Sequence, residues 1–307
     1  MFYGWFVTIN GAFYVLIAMF TIPLHTLVAI AIIRTGAIRK RIMLRTLLSL
    51  ASADIFQLLF HGIGGLFICM GIPLNDTFND AMGWVMKGLW GVTLIQHVAL
   101  ALNRLKVVTS KTLVREEEFR YFDTSIVVVW IWGLAYTISC SLGYHNLYFD
   151  QKNLNWASRG EGSTTVIKVW FWFRLVSLIV GTAACIIVIV SLITSRRALS
   201  ESTRLVTGRD FRLFMQTTVV FILAITHVGT WNLFPNPDLY LLSVLNMEWV
   251  LVCALLPYLN LAMSSDIRKS LLNVLKITDK TATVSAQGAV TVFNVSTYKK
   301  ALSKSSE

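Results

Sequence analysis

A few ionisable and polar residues interrupt an otherwise strongly apolar chain. Asp54 is the one acid inside a long uncharged run, Arg174 lies about eight residues into another, and Glu248 sits at a similar depth in a third. His227 stands about seven residues from the end of the run before Glu248, and Gln96 and His97 lie mid-way along a further run, below Lys87. Such groups are costly in hydrocarbon, so they turn to an interior and find partners there. Their chemistry is recognition: charges and amides converging among aromatic walls, here Trp90, Phe173, Trp231 and Trp249, describe a site for a small polar molecule. Two plainer readings stand beside it. Arg174 and Lys87 can reach interfacial water along their apolar stems, and Glu248 and His227 can simply join two helices. Bond-making chemistry lacks its residues. There is no HExxH pair and no nucleophile elbow, and the five histidines are scattered. No metal, no cofactor and no enzymatic activity are expected.

The elements that must position these groups are long apolar helices. Charged residues make up 14% of the chain, against roughly 25% in a soluble domain. A helix needs about 20 mostly apolar residues to cross a bilayer. Seven such runs lie near 5–33, 46–70, 83–105, 124–146, 166–194, 212–234 and 239–263. Helices are expected because lipid offers no partner to an open backbone. The fold class is therefore an all-α membrane protein, a seven-transmembrane helix bundle. Within Asp266–Lys276 one face carries Ile267, Leu271, Leu272 and Leu275, while Arg268, Lys269 and Lys276 lie elsewhere. That is a short amphipathic helix after the seventh span. Residues 1–276 form the seven-helix transmembrane domain, and 277–307, rich in Ser, Thr and Lys, read as a disordered cytoplasmic tail whose hydroxyls are available to phosphorylation.

Charge sets the orientation. Of the 27 lysines and arginines, 22 fall in alternate gaps and the tail. The positive-inside rule then places the N-terminus outside and the C-terminus in the cytoplasm. The net charge of +11 needs no nucleic acid, since topogenic charge and attraction to anionic lipid account for it. The first run is too long for a cleaved signal peptide and lacks a basic flank, so it reads as a signal anchor. Outer connections are expected at 71–82, at 147–165 as the longest loop, and at 235–238 around Pro235-Asn236-Pro237. Cys69 and Cys140 lie toward the outer side, where a contact between them is conceivable, though buried thiols are the plainer reading. Asn75-Asp76-Thr77 is an outer glycosylation sequon. Eight of the ten tryptophans lie toward that side, as interfacial anchors in the main.

Three signatures carry a resemblance. The second span contains Leu50-Ala51-Ser52-Ala53-Asp54, the third ends Leu100-Ala101-Leu102-Asn103-Arg104, and the seventh holds Pro257-Tyr258-Leu259-Asn260 before the amphipathic helix. This constellation resembles the rhodopsin-like seven-helix G-protein-coupled receptors over about residues 5–276. The departures point further. His25 stands where that pattern has asparagine, Asn103 replaces the acid before the arginine, and Leu256 and Asn260 replace an asparagine and a tyrosine. The prolines of spans five and six and the usual cysteine pair are missing. With its "LALNR" ending, the chain looks like the nematode serpentine chemoreceptors, the class being open among Srt, Srx, Srxa and relatives.

The resemblance implies a chemosensory receptor in the plasma membrane, at a sensory membrane. It would convert external binding of a small molecule into activation of a heterotrimeric G protein. It implies that Asp54 anchors an interior water network, with Asn260 of the seventh span, beyond Pro257, as a weaker candidate partner. It makes Arg104 the main signalling residue at the inner mouth, with Asp210 holding it at rest; Asn103 cannot take up a proton as an acid would. The competing reading is a small-solute transporter or channel with Asp54, His97, Arg174 and Glu248 along its path.

Overall fold

The computed structural model describes residues 2–34, 42–109, 116–143, 146–159, 164–198, 208–234 and 238–275. The expected tail and the Pro235-Asn236-Pro237 turn lie outside the described residues. In chain order the elements are α1 (Phe2–Arg34), α2 (Ile42–Met70), α3 (Asp76–Thr109), α4 (Glu116–Ser141), β1 (Asn146–Asp150), β2 (Asn155–Arg159), α5 (Thr164–Ala198), α6 (Gly208–Leu233), α7 (Leu239–Met263) and α8 (Ser265–Val274). Among the described residues, six helices are long and apolar enough to cross a membrane; in α6 the apolar stretch is the shorter Thr218–Thr230. The charged opening Arg209-Asp210-Phe211-Arg212 takes up the rest of its first turns. Together the seven form the expected bundle.

Helix α3 is its axis. In its apolar window 72% of residues are buried, against 22% in α4 and 28% in α5, which therefore lie at the periphery. Small residues set the closest approach: a Cβ on Gly88 would meet the carbonyl of Gly133 at 2.6 Å, so α3 and α4 touch backbone to backbone. Helix α3 begins at Asp76, well before the expected 83, because Asn75 caps it: its Oδ1 accepts from the Phe78 N–H at 3.2 Å.

Two further expectations are corrected. Helix α4 ends at Ser141 rather than 146, and the loop at 147–165 is largely an antiparallel hairpin, with Phe149 opposite Trp156 and Leu147 opposite Ser158. Its strands are short and aromatic, and its Asp150-Gln151-Lys152-Asn153 tip is an Asx turn. Asp150 Oδ1 accepts from Lys152 N–H at 3.0 Å and from Asn153 N–H at 3.3 Å. The hairpin turns Leu147, Phe149, Leu154 and Trp156 into the bundle. Asn79 holds it there, accepting from the Phe149 N–H at 2.7 Å and donating to the Phe149 carbonyl at 3.0 Å. Gln151 does the same with the 71–75 segment, accepting from Leu74 N–H at 3.1 Å and donating to Ile72 C=O at 3.0 Å. The hairpin backbone passes so close to α3 that a Cβ on Gly83 would overlap the Leu147 carbonyl.

At the other end α8 has the expected amphipathic form. Ser264 caps it, Ile267 is buried against Val28, Ile32, Leu47 and Leu256, and Leu272 and Leu275 remain exposed. Arg268 donates to the Leu261 and Ala262 carbonyls, each at 2.7 Å, closing the C-terminus of α7. All four cysteines are free.

Candidate functional site

The buried side of α7 carries Ser243, Asn246, Trp249, Cys253, Leu256, Pro257 and Asn260, the spacing of one helical face. Trp249 is its centre. The indole Nε1 donates to Gln57 Oε1 at 2.9 Å, and Gln57 Nε2 donates to Thr93 Oγ1 at 2.9 Å. The Thr93 hydroxyl lies in turn within hydrogen-bonding reach of the Asp54 carboxyl. Asp54 is 2% exposed, in the interior where hydrocarbon must drive it, and its Oδ1 has no hydrogen-bond partner. His25 Nε2 meets the Cys253 carbonyl at 2.9 Å on the same side of α7.

Around Trp249 the aromatic rings close. Its centroid lies 5.0 Å from Trp90, 5.3 Å from His61 and 6.1 Å from His227. His227 also tilts over Trp90 at 5.5 Å, and its Nδ1 lies 3.6 Å from Glu248 Oε2. Helices α3, α6 and α7 thus meet on two tryptophans and one imidazole–carboxylate contact, with the His227 and Glu248 side chains only 8% and 16% exposed. The hairpin roofs this cluster: Trp156 Nε1 donates to His61 Nδ1 at 3.3 Å, while Tyr14 donates to the Leu154 carbonyl at 3.4 Å.

A second group occupies the neighbouring face of α3. Phe173 packs against Trp170 at 5.5 Å and Trp132 at 5.0 Å, and Trp170 stacks on Tyr136 at 4.2 Å. The Trp170 ring rests on Gly91, one residue from Trp90. Arg174 and Lys87 are in electrostatic reach of one another here, with Tyr136 and Cys140 beside them. Between α4 and α5 this group borders a cavity of ≈ 260 Å³.

The residues expected to share one site therefore divide. Trp90, His227, Glu248 and Trp249 come together. Lys87, Phe173 and Arg174 lie on the α4–α5 side, and Arg174 and Glu248 form no ion pair. Gln96 turns away, donating to Ser49 Oγ at 2.8 Å, an oxygen that also accepts from Trp130 Nε1 at 2.7 Å. His97 faces α6, 6.3 Å from Phe221. The Trp231 side chain lies outside the described residues. Asn75 is exposed, and its carbonyl oxygen is taken up in capping α3.

Sequence reasoning missed Gln57, His61, Trp156, Tyr136 and Trp170. A signal existed for two of them: Asp54, Gln57 and His61 recur at three- and four-residue steps, a polar stripe along an apolar helix. The tryptophans also need correction. Trp5 and Trp172 are exposed as anchors would be, but Trp90, Trp156, Trp170 and Trp249 are core residues.

A crystal structure of squid rhodopsin superposes with a TM-score of 0.72 over 92% of this chain and 91% of that one, at 11% identity. At that identity the likeness is one of fold. No curated protein matches the chain in sequence. The family model for the serpentine type 7TM GPCR chemoreceptor Srx matches residues 15–255. The chain belongs to the Srx family. It is a G-protein-coupled chemosensory receptor, and among the classes left open by the sequence it is Srx.

In this Srx receptor the residues of the expected signalling path are spread along the half opposite the hairpin. Arg104 is 7% exposed at the far end of α3, drawn into the bundle rather than fanned into water. Asn103 beside it is half-buried. Pro257 lies within α7, and Asn260 is 1% exposed, its carbonyl accepting from Ser264 N–H at 2.9 Å where α7 passes into α8. Asp210 sits in the first turn of α6, with its side chain outside the described residues.

Proposed function

We propose that this receptor senses a small amphipathic molecule at the Trp90–His227–Glu248–Trp249 cluster, beneath the hairpin, and reports its presence to a heterotrimeric G protein at the opposite end. The observation that carries the reading is the coupling of that cluster to the interior. Trp249 touches the ring cluster on one side and, through Gln57 and Thr93, Asp54 on the other. A ligand with a donor or cationic group would engage Glu248, and its apolar part would replace ring–ring contact between Trp90 and Trp249. Only the difference in its affinity for the two arrangements of the helices can shift them. The responding arrangement is one with the Asp210 end of α6 moved away from α3, opening a cleft around Arg104.

The hairpin end is extracellular in this reading and the α8 end cytoplasmic, as the 22 of 27 basic residues in alternate gaps and tail support. The membrane is the plasma membrane of a sensory cell, and Asn75, exposed at the hairpin end, is available for glycosylation. Residues 277–307 extend the cytoplasmic face as a tail.

The test is a screen of volatile and water-soluble small molecules against receptor reconstituted with G protein, read as nucleotide exchange. Agonists found on the wild type are then compared on Glu248→Gln and Trp249→Phe. Exchange that depends on ligand, without solute flux in protein-only vesicles, supports the proposal. Equal potency on all three proteins would remove the cluster as the sensing site, and ligand-driven flux would favour a transport path.

A further inference from the structure

We propose that Glu248 is a docking group open to the bilayer, and that it takes the ammonium head of a lipophilic amine arriving sideways between α6 and α7. This deepens the sensing reading above, on which it rests for the ligand's effect, by naming the class of ligand and its route. Val244, Glu248 and Leu251 stand at i, i+4 and i+7, on one face of α7. Val244 is 57% and Leu251 46% exposed, on the apolar outer surface of the bundle, so they flank Glu248 one turn to either side. The Glu248 side chain, 16% exposed, sits at the edge of that stripe, while Trp249 and His227 behind it are buried. On α6, Ile225 and Thr226 are exposed immediately before the buried His227. The acid therefore lies in the seam between the two helices and is reachable from the lipid side, while the hairpin closes the cluster from its own end.

What Glu248 lacks is a donor. A carboxylate only accepts, through two oxygens with about four lone-pair sites. Among the described residues its ionic contact is His227 Nδ1 at 3.6 Å, which is too long for a hydrogen bond. The donors beside it in sequence are already spent. Trp249 Nε1 goes to Gln57 at 2.9 Å, and the Thr226 hydroxyl, next to His227, goes to the Ile222 carbonyl at 2.8 Å. No described lysine or arginine pairs with it. An acid at the edge of hydrocarbon is costly without a partner. A cation from the membrane supplies both the charge and the N–H donors. The rings of Trp90 and Trp249, 5.0 Å apart and inclined at 58°, lie behind the acid and attract the same charge. An anionic head would be repelled here, and an alcohol would bring one donor and no charge.

The depth of Glu248 narrows the class further. It lies nine residues beyond Leu239, the first residue of α7, which is about 14 Å along the helix. That is close to half of a hydrocarbon core roughly 30 Å thick. A two-chain phospholipid keeps its amine at the interface. A single-chain amine is free of that anchor and follows the seam inward. Its chain then lies along Val244, Leu251 and Ile225, and its head meets Glu248 beside the indole of Trp249.

The probes are decylamine and the bilayer-soluble carboxyl reagent dicyclohexylcarbodiimide, applied to full-length receptor in phosphatidylcholine nanodiscs, with modified peptides mapped by mass spectrometry. Glu248 should be modified and the enclosed Asp54 spared. A water-soluble carbodiimide should modify Glu248 at least tenfold more slowly. Decylamine should protect Glu248 saturably, and decanol and decanoate at least tenfold less well. Leu251→Trp, on the lipid-exposed rim, should slow modification and weaken protection at least tenfold, with Val244→Trp as the second rim variant if the first does not fold. Glu248 left unmodified, equal modification by the two reagents, or equal protection by amine and alcohol would each overturn the proposal. Nucleotide exchange in the same nanodiscs keeps the two readings apart. Protection by decylamine with exchange unchanged supports this site and refutes sensing there. Agonists lost in Glu248→Gln, beside a Glu248 that decylamine does not protect, keep sensing and overturn this site.

Discussion

Replacing Asn79 by alanine should release the hairpin without unfolding the bundle. The Asn79 amide is 5% exposed and makes both hydrogen bonds to the Phe149 backbone, at 2.7 Å and 3.0 Å. Alanine removes both partners and leaves a buried N–H and a buried C=O unpaired. Each such group costs about 1–3 kcal/mol. Water at the end of the bundle recovers part of that, so a net cost of about 2–3 kcal/mol is expected for the docked state. Because tenfold corresponds to about 1.4 kcal/mol, docking should weaken roughly 30- to 150-fold. Hydrogen–deuterium exchange resolved over 146–159 reads this directly: amides there should exchange faster by about that factor. The amides of α3 below Trp90 should not change. Asn79→Asp keeps the acceptor and loses the donor, so its effect should be about half in free energy. Unchanged exchange in Asn79→Ala would refute the reasoning, because it would mean that Leu147, Phe149 and Trp156 hold the hairpin by packing alone.

Glu248→Gln keeps shape but removes the charge offered to a ligand's donor or cationic group, and a hydrogen bond to a charged group is worth about 1.5–3 kcal/mol; agonist potency should fall roughly 10- to 100-fold in a nucleotide-exchange assay at matched surface expression. Arg104→Ala should lower G-protein activation while preserving ligand binding, and Asp210→Ala should raise basal exchange if it restrains Arg104; unchanged signalling in both would leave Arg104 a topogenic charge. Gly88→Val places a branched side chain where α3 and α4 meet at Gly133, and overpacking of about 1–3 kcal/mol or more should appear as reduced surface expression, with Gly88→Ala milder. A tag before Met1 should be reached by antibody on intact cells, and one after Glu307 only after permeabilisation.

The spans and α8 were legible because hydrophobic run length and charge placement are direct physical requirements of a bilayer. The interior position of Asp54 was legible for the same reason. The meeting of His227 with Glu248 was legible too, since two ionisable groups at similar depth in adjacent helices have few other partners. Which way an apolar or amide side chain turns was not. Lipid is as apolar as the bundle interior, so a membrane helix lacks the contrast that marks the buried face of a soluble one. Hence Trp170 and Trp172 read alike, though one is 3% and the other 59% exposed. Mid-span depth predicts Gln96 in the pocket, yet Ser49 on α2 draws it aside. Counting along the helices puts Arg174 and Glu248 at one depth, but depth can be counted along a helix and azimuth cannot. The hairpin was hidden because its strands, five residues each, are held by hydrogen bonds to Ile72, Leu74 and Asn79, far back in the chain.

The Trp249–Gln57–Thr93 contacts have a polarity. An indole N–H can give a hydrogen bond and never receive one, so Trp249 obliges Gln57 to present its oxygen upward and its nitrogen downward. Thr93, receiving from that nitrogen, is left with its own proton to give to Asp54. The wiring is one-way, and no link can be reversed without breaking the first. If Trp249 swings out, the Gln57 oxygen is stranded in a dry interior, and the amide must either find water or turn over. Turning over would bring its oxygen to Thr93, whose proton would have to be given to that oxygen, and the hydroxyl would have to let go of Asp54. Such a line resists small displacements and gives way as a unit. A tug on one indole would therefore reach the Asp54 side chain in the middle of the membrane as a discrete event rather than a graded strain.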